Sequence, residues 1–283
     1  MIQKTPARSK FKQHLGQANH YLVTSIVALK HLDESDLISA PEELRTSWNP
    51  KDKHRSIERT RTFVSQSFLG WAVDSIDLYL SLLNRKPKFI RDEQLVKELE
   101  GAGRSVYLKS ECVGRHYGVK DSTRALVSVL ITWRNNVMHE LADNEVDNRS
   151  RQILLENATQ IEERYRHLQV HNLADKAEAG ESLTFKETAS LISASHNFVE
   201  SVDNALLVTF DQKAFCVEAV TERLAQREDG GRFAQKYFSL SGAQRRRFTN
   251  NWLVNTLGFE SIEADALDAC SDLLRPVSSR EDR

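Results

Sequence analysis

No glycine or proline occurs in residues 184–227, and this absence constrains the fold more than any other feature of the chain. The apolar residues of this segment recur at helical spacing, at Leu191, Phe198, Val202, Ala205, Val208, Phe215, Val220 and Leu224. The segment is therefore predicted to be one very long helix, or two helices with a break near Asp211. Such helices gain most of their stability by burying the apolar side against other elements.

The same character extends through the chain, whose 283 residues include only 11 glycines and 5 prolines. Segments with helical periodicity follow one another without a strand-like alternation, which predicts an all-α protein. Residues 174–182 are polar and lack apolar periodicity, and we interpret them as a linker. The prediction is a helical domain over residues 1–175 and a C-terminal helical domain over residues 180–283.

Charge and cysteine content narrow the classes of function. The net charge is −1, so a surface that binds nucleic acid must be a local patch rather than a field of the whole protein. Three widely spaced cysteines, Cys112, Cys216 and Cys270, form no disulfide framework or paired metal motif, which predicts a reducing compartment, the cytoplasm. The apolar run at residues 21–29 is too short to span a bilayer.

No clustered set of metal ligands and no glycine-rich phosphate-binding pattern is found in the sequence. We therefore expect neither a metal nor a cofactor.

The stretch most informative about function is residues 126–141. An apolar run ends at Trp133 and is followed directly by Arg134, Asn135 and Asn136, with His139 shortly after. A helix is predicted from Asp121 to about His139, because no glycine or proline interrupts it and its apolar residues recur at helical spacing. This helix is expected to be mostly buried, and polar groups at its end need partners or a function.

Residue chemistry at this helix end suits an RNA phosphodiester. On an ideal helix Asn135 and His139 share one face, and the long side chain of Arg134 can reach toward the imidazole. A guanidinium binds phosphate oxygens bidentately, and an imidazole exchanges protons near neutral pH. The alternative is a plain helix C-terminus, at which Arg134 and His139 satisfy the last carbonyl groups.

The sequence Arg134-Asn135-x-x-x-His139 resembles the Arg-polar-x(3–5)-His signature of HEPN domains. These are all-α domains, and many are metal-independent endoribonucleases of toxin–antitoxin, abortive-infection and CRISPR-associated systems. The resemblance implies a HEPN-like antiparallel helical bundle in the first domain, followed by a second helical region. It also implies that the chain is a toxin or antiphage defence effector, with an RNA substrate and possible control by an antitoxin or regulatory partner.

The resemblance further implies a reaction and an assembly. The 2′-hydroxyl attacks the adjacent phosphate and leaves a 2′,3′-cyclic phosphate and a 5′-hydroxyl, with His139 as general base or acid. Arg134 holds the phosphate, and Asn135 orients His139 or hydrogen-bonds the phosphate. Because one chain offers one motif imidazole, a homodimer with facing motifs is expected.

Supporting residues are predicted on both sides of the motif. Asp74 and Asp77 lie in the middle of a helix predicted over residues 53–85, and acidic residues on a preceding helix often orient the motif in the family. Asn136 is assigned to the same supporting group. The alternative for both aspartates is that they are ordinary solvated or capping acids.

A catalytically silent HEPN-like module is the alternative function, one that dimerises or binds RNA, a nucleotide or a partner protein. Arg166-His167-x-x-x-His171 is a second match to the loose pattern, but its helix is much more polar and is interpreted as a solvated face. The basic run Arg245-Arg246-Arg247 is interpreted in the same way, since helical steps of about 100° spread the three side chains apart.

Overall fold

The computed structural model describes residues 4–37, 39–139, 142–165, 168–226 and 231–273. This part of the chain is all-helical, with 74% of residues in helices and no strand, which confirms the all-α prediction. None of the helices described is both long enough and apolar enough to cross a membrane.

The helices are α1 (Pro6–Leu15), α2 (Ala18–Glu34), α3 (Lys53–Asn84), α4 (Glu93–Ala102), α5 (Val106–His116), α6 (Asp121–Met138), α7 (Asn148–Glu156), α8 (Ala158–Arg164), α9 (Leu173–Glu178), α10 (Phe185–Thr209), α11 (Gln212–Ala225), α12 (Arg232–Ser239), α13 (Gly242–Trp252) and α14 (Ala264–Ser271). A 3₁₀ turn at Glu42–Leu44 precedes α3, and a π-helical turn at Leu253–Leu257 continues α13.

The helix boundaries follow local signals in the sequence. The break predicted near Asp211 is confirmed, because α10 ends at Thr209 and the Asp211 carboxylate caps α11 by accepting a hydrogen bond from the Ala214 amide at 2.9 Å. The α6 helix begins at Asp121 as predicted, and its N-cap residue, Lys120, forms no side-chain cap bond.

The chain forms two compact units. The larger unit consists of residues Lys10–Leu80 and Lys97–Val202, and the smaller one of Met1–Ser9, Ser81–Val96 and Asp203–Arg283.

The larger unit is built around α6, in which every residue from Thr123 to Trp133 is buried. Helices α5, α7 and α9 contact it. Trp133 is fully buried, and its indole N–H donates a hydrogen bond to the backbone carbonyl of Glu181 at 2.8 Å. The apolar run at residues 126–133 therefore fills the core, and the polar residues after Trp133 lie where the helix leaves it.

The smaller unit has its own apolar core, formed by Phe215, Cys216, Val220, Tyr237, Leu253, Phe259, Leu267 and Cys270. The Arg245 guanidinium donates hydrogen bonds to three backbone carbonyls of this unit, and Arg246 forms an ion pair with Asp268 at 2.9 Å. Arg247 is exposed and the Arg246 side chain is 43% exposed, as expected of a solvated face, whereas Arg245 differs from that prediction because its guanidinium binds the three carbonyls.

Residues 174–182 are not the linker that the sequence analysis predicted. The segment begins inside α9, where Leu173, Ala174 and Ala177 are buried, and α9 contacts α6. Alanine carries a weak apolar signal in sequence patterns, although it suits close contact between helices. The division into domains 1–175 and 180–283 stays a prediction.

Candidate functional site

The helix end predicted to carry the motif is where α6 leaves the core. α6 ends at Met138, and His139 is its C-cap residue, with extended backbone angles of φ −124° and ψ 105°. The His139 amide donates a hydrogen bond to the Asn135 carbonyl at 3.1 Å. Because the His139 backbone is extended, ideal helix geometry does not fix the direction of its side chain. The imidazole is exposed and forms no hydrogen bond within the described part of the chain.

Arg134 is held from two directions. Its Nη2 donates to Oδ1 of Asp74 on α3 at 2.9 Å, and its Nη1 donates to Oδ1 of Asn135 at 3.2 Å. The Arg134 side chain is 25% exposed and that of Asp74 is 61% exposed, so the ion pair faces solvent. The guanidinium has further N–H donors beyond these two, and it is oriented at the surface by Asp74, five positions before the exposed His139 in the sequence.

Asp77 has a different partner. Its Oδ1 accepts a hydrogen bond from Nζ of Lys109 on α5 at 2.9 Å. Of the two aspartates predicted to support the motif, the structure therefore brings Asp74 to Arg134 and ties Asp77 to α5 instead.

Asn136 joins α6 to the segments that follow it. Its Nδ2 donates to the backbone carbonyls of Asn144, Ala177 and Glu178 at 2.8 to 3.2 Å, and its Oδ1 accepts from the backbone and side-chain nitrogens of Asn144. The donors and acceptor of this amide are all engaged within the chain. Asn136 therefore holds the segment after the motif in place and has no group left for a substrate.

Gly70 explains how α3 approaches the end of α6. A Cβ atom at Gly70 would lie 2.8 Å from Cε of Met138. Gly70 and Asp74 are one turn apart on α3, and Met138 and Arg134 are one turn apart on α6. Met138 faces Gly70 and Arg134 faces Asp74, so the two helices meet in antiparallel directions at the motif. The small residue at position 70 makes room for this contact.

A second polar cluster, which the sequence analysis missed, lies near the beginning of α6. The buried Arg124 donates to Glu111 at 2.9 Å and to Asp121 at 2.6 Å. Burial raises the pKa of Glu111, and the Arg124 charge opposes this increase. The signal available in the sequence was an arginine inside an otherwise apolar helix, with Asp121 at i−3 to pair with it.

Asp147 completes this cluster from the cap of α7. Burial tends to raise the pKa of Asp147, but hydrogen bonds from Ser150, Tyr107 and Ser128 outweigh burial and hold that pKa below its ordinary value. Burial and the hydrogen bond to Asp147 raise the pKa of Tyr107. The cluster connects α5, α6 and α7 and so fixes the helix that carries the motif.

The second match to the signature falls partly outside the described residues, since Arg166 and His167 are not described. His171 is exposed. Within the described ranges, no group of three or more His, Cys, Asp or Glu residues is placed to hold a metal ion.

In the residues that the structure describes, the fold is all-helical, and an arginine and an exposed histidine lie at the end of the buried helix α6. When the chain is compared with known proteins, it matches no protein-family model, no curated protein and no solved structure.

Proposed function

We propose that the chain is a metal-independent endoribonuclease of the HEPN type, with Arg134 and His139 as its catalytic residues. The observation that carries the proposal is an arginine oriented by Asp74 at the surface, five positions before an exposed histidine with no intramolecular hydrogen bond among the described residues. Phosphodiester cleavage is accelerated by a cation that binds the phosphate and by a side chain that transfers protons, and an arginine and a histidine are residues of these two types.

In the proposed reaction the 2′-hydroxyl oxygen forms a bond to the adjacent phosphorus as the bond from phosphorus to the 5′-oxygen breaks. One imidazole accepts the proton of the 2′-hydroxyl, and an acid supplies a proton to the leaving 5′-oxygen. Such proton transfer by a positioned group accelerates a reaction typically ~10²–10⁴-fold. Arg134 binds the non-bridging oxygens and stabilises their increasing charge, and Asn135 orients the guanidinium to which it is hydrogen-bonded.

A homodimer is part of the proposal, because acid and base are both needed and each motif has one imidazole. Leu78, one turn from Asp74, and Met138, one turn from Arg134, are exposed large apolar residues beside the ion pair. A second copy that covers them would bring two His139 imidazoles and two Arg134 guanidinium groups to one cleft, where each guanidinium has N–H donors beyond those that bind Asp74 and Asn135. Action as a cytoplasmic toxin or antiphage effector, restrained by an antitoxin or regulatory protein, belongs to the same proposal and follows from the resemblance of the motif.

The test is incubation of the purified protein with RNA in the presence of EDTA. We expect cleavage with 2′,3′-cyclic phosphate ends, and no cleavage of an oligonucleotide with a single 2′-deoxy sugar at the scissile position. His139→Ala and Arg134→Ala should each abolish cleavage with the helical circular dichroism unchanged. Arg134→Lys should also be inactive or nearly so, since it keeps the charge but loses the bidentate geometry.

His171→Ala is the matched control, because it removes an exposed histidine that belongs to the competing match. Full activity of His171→Ala together with loss in His139→Ala supports the assignment. Products with 5′-phosphate ends, or normal cleavage by both His139→Ala and Arg134→Ala, would exclude it.

One observation favours the alternative, a catalytically silent helical module. Arg134 already has an anionic partner in Asp74, and the supporting residue Asn136 binds only other parts of the chain, so both residues have a structural role that is independent of catalysis. If the protein binds RNA or forms a dimer but leaves every RNA intact, the silent module replaces the nuclease.

A further inference from the structure

An open pocket of about 580 Å³ lies at the beginning of α3, in the larger unit. Its lining includes three basic residues, Lys51, Arg55 and Arg59, and one acidic residue, Asp52. The Asp52 carboxylate is engaged as a cap, since its Oδ1 accepts the Arg55 backbone N–H at 2.9 Å. The pocket is thus a local concentration of positive charge on a chain whose net charge is −1.

Charge pairing distinguishes the three basic side chains of this pocket from a neighbouring arginine. None of them forms an ion pair within the described part of the chain, whereas the neighbouring Arg61 on the same helix pairs with Glu58. All three are exposed. Unpaired cations that converge on one concave surface suit a ligand that carries several negative charges.

Phe63 lines the same pocket and is 69% exposed. It lies one helical turn after Arg59, which lies one turn after Arg55, so the three side chains follow one another along one side of α3. An aromatic ring in this setting offers an apolar face to a planar group beside the charges. Single-stranded nucleic acid presents both features, since its phosphates pair with basic residues and its bases stack on aromatic rings.

The position of the pocket relates it to the motif through a single rigid helix. Phe63 and Asp74 are eleven positions apart on α3, which places them within about 20° of each other around the helix and roughly 16 Å apart along it. Asp74 holds Arg134 at 2.9 Å. A strand bound at Phe63 and extended along this side of α3 therefore leads to the proposed cleavage site.

We propose that Lys51, Arg55, Arg59 and Phe63 form a binding subsite for single-stranded RNA. The basic residues bind consecutive phosphates, and Phe63 stacks on an unpaired base. A base in a duplex has no free face to offer, so the pocket selects single-stranded over double-stranded RNA. The identity of the strand as RNA rests on the proposed function, whereas the binding of a single strand at this pocket does not.

Binding is tested apart from cleavage, by fluorescence anisotropy of full-length protein with a labelled 2′-deoxy oligothymidylate, which cannot react through a 2′-hydroxyl. We expect Arg55→Ala/Arg59→Ala to weaken binding about tenfold or more at low salt. The slope of log K against log salt should fall by about 1.4, since each lost phosphate contact on a single strand contributes ~0.7. Lys97→Ala/Arg104→Ala is the matched control, because it removes two exposed positive charges of the same unit outside the pocket.

Phe63 is tested with two substitutions that differ in the ring. Phe63→Leu keeps an apolar side chain but loses stacking, so it should weaken binding about fivefold or more. Phe63→Trp keeps an aromatic ring and should bind the oligonucleotide as tightly as the wild type. Neither should change the salt slope. A merely structural role for Phe63 would instead lower thermal stability, which is measured on the same samples.

Each outcome decides the proposal. Weaker binding and a lower salt slope for Arg55→Ala/Arg59→Ala, but not for the control, support the proposed subsite. They do so even if the protein cleaves no RNA, and in that case only the proposed nuclease function fails. Equal binding by the pocket variant and the control overturns it, as does tight binding of an oligoglutamate peptide at the pocket with no binding of the oligonucleotide. If wild type and the pocket variant cleave RNA with the same KM, the nuclease stands and the subsite does not.

Discussion

Substitution of Asp74 tests how the site works, and Asp77 on the same helix, α3, provides a matched control. Asp74 binds Arg134 and Asp77 binds Lys109, each with a nitrogen–oxygen distance of 2.9 Å. Asp74→Ala and Asp77→Ala therefore remove the same group, from the same helix, at the same distance from a basic partner. Only the first of the two partners belongs to the proposed catalytic pair.

Asp77→Ala should lower the stability at least as much as Asp74→Ala does, whereas only Asp74→Ala should lower the activity. The Asp74–Arg134 pair is 61% and 25% exposed, so its loss should cost about 1 kcal/mol of unfolding free energy or less. The Asp77–Lys109 pair is less exposed, at 39% and 18%, and its loss should cost at least as much. A loss of about 1 kcal/mol of unfolding free energy lowers Tm by at most about 4 °C in a chain of this length.

Activity should depend on Asp74 alone. Without Asp74 the guanidinium of Arg134 keeps one hydrogen bond, to Asn135, and loses its fixed orientation. Misplacement of a catalytic group by about 1 Å costs on the order of 10²-fold in rate, so kcat should fall about 10- to 100-fold in Asp74→Ala. Asp77→Ala should cleave at the wild-type rate.

The assays are thermal unfolding followed by circular dichroism and initial rates of cleavage in EDTA. Equal cleavage rates for Asp74→Ala and Asp77→Ala would refute the argument that Asp74 orients Arg134 for catalysis. A loss of activity in both, in proportion to lost stability, would show that the aspartates act only through folding.

Three further predictions concern the surroundings of the motif. Gly70→Ala should leave Tm unchanged or raise it, because alanine favours a helix by up to about 1 kcal/mol and the atom it meets is the flexible end of Met138, whereas Gly70→Leu should displace Met138 and lower the cleavage rate. Asn136→Ala should lower the unfolding free energy by about 2 kcal/mol in denaturant titrations, more than Asn135→Ala, because its amide makes several hydrogen bonds to other segments. Hydrogen bonds hold the pKa of Asp147 below its ordinary value of 3.8, so this carboxylate contributes stability that is present above that pH and is lost as the pH falls through the folded-state pKa. Asp147→Asn should thus lower stability at pH 7 and flatten its decrease in acid, as measured by unfolding at pH 7, 4 and 3.

Local patterns account for what the sequence predicted well. Helix α6 and the break at Asp211 were predictable, because apolar spacing and a capping aspartate are properties of neighbouring residues. The choice between Asp74 and Asp77 was not, because the two are only about 60° apart on α3 and the packing of distant helices decides which of them faces Arg134.

Features that depend on distant segments were missed. The partners of Asn136 lie at Asn144 and at residues 177–178, which no local pattern connects to it. Helix α9 was mistaken for a linker because its buried residues are mostly alanines between charged residues. Such a sequence shows little apolar periodicity and looks like a polar loop. The spacing of Arg55, Arg59 and Phe63 was readable, but only the structure shows that Phe63 remains exposed beside them.

The bonds that anchor the end of α6 have a consequence for how this chain can vary. Trp133 and Asn136 both bind main-chain oxygens, of Glu181 and of Ala177 and Glu178. A main-chain oxygen is present whatever the residue, so these contacts survive most exchanges of side chain at residues 177–181. Gly180 is the exception, because its φ of +60° disfavours other residues. Inserting or deleting one residue there would move these main-chain oxygens away from Trp133 and Asn136. Residues 177–181 should therefore tolerate substitutions far better than insertions or deletions.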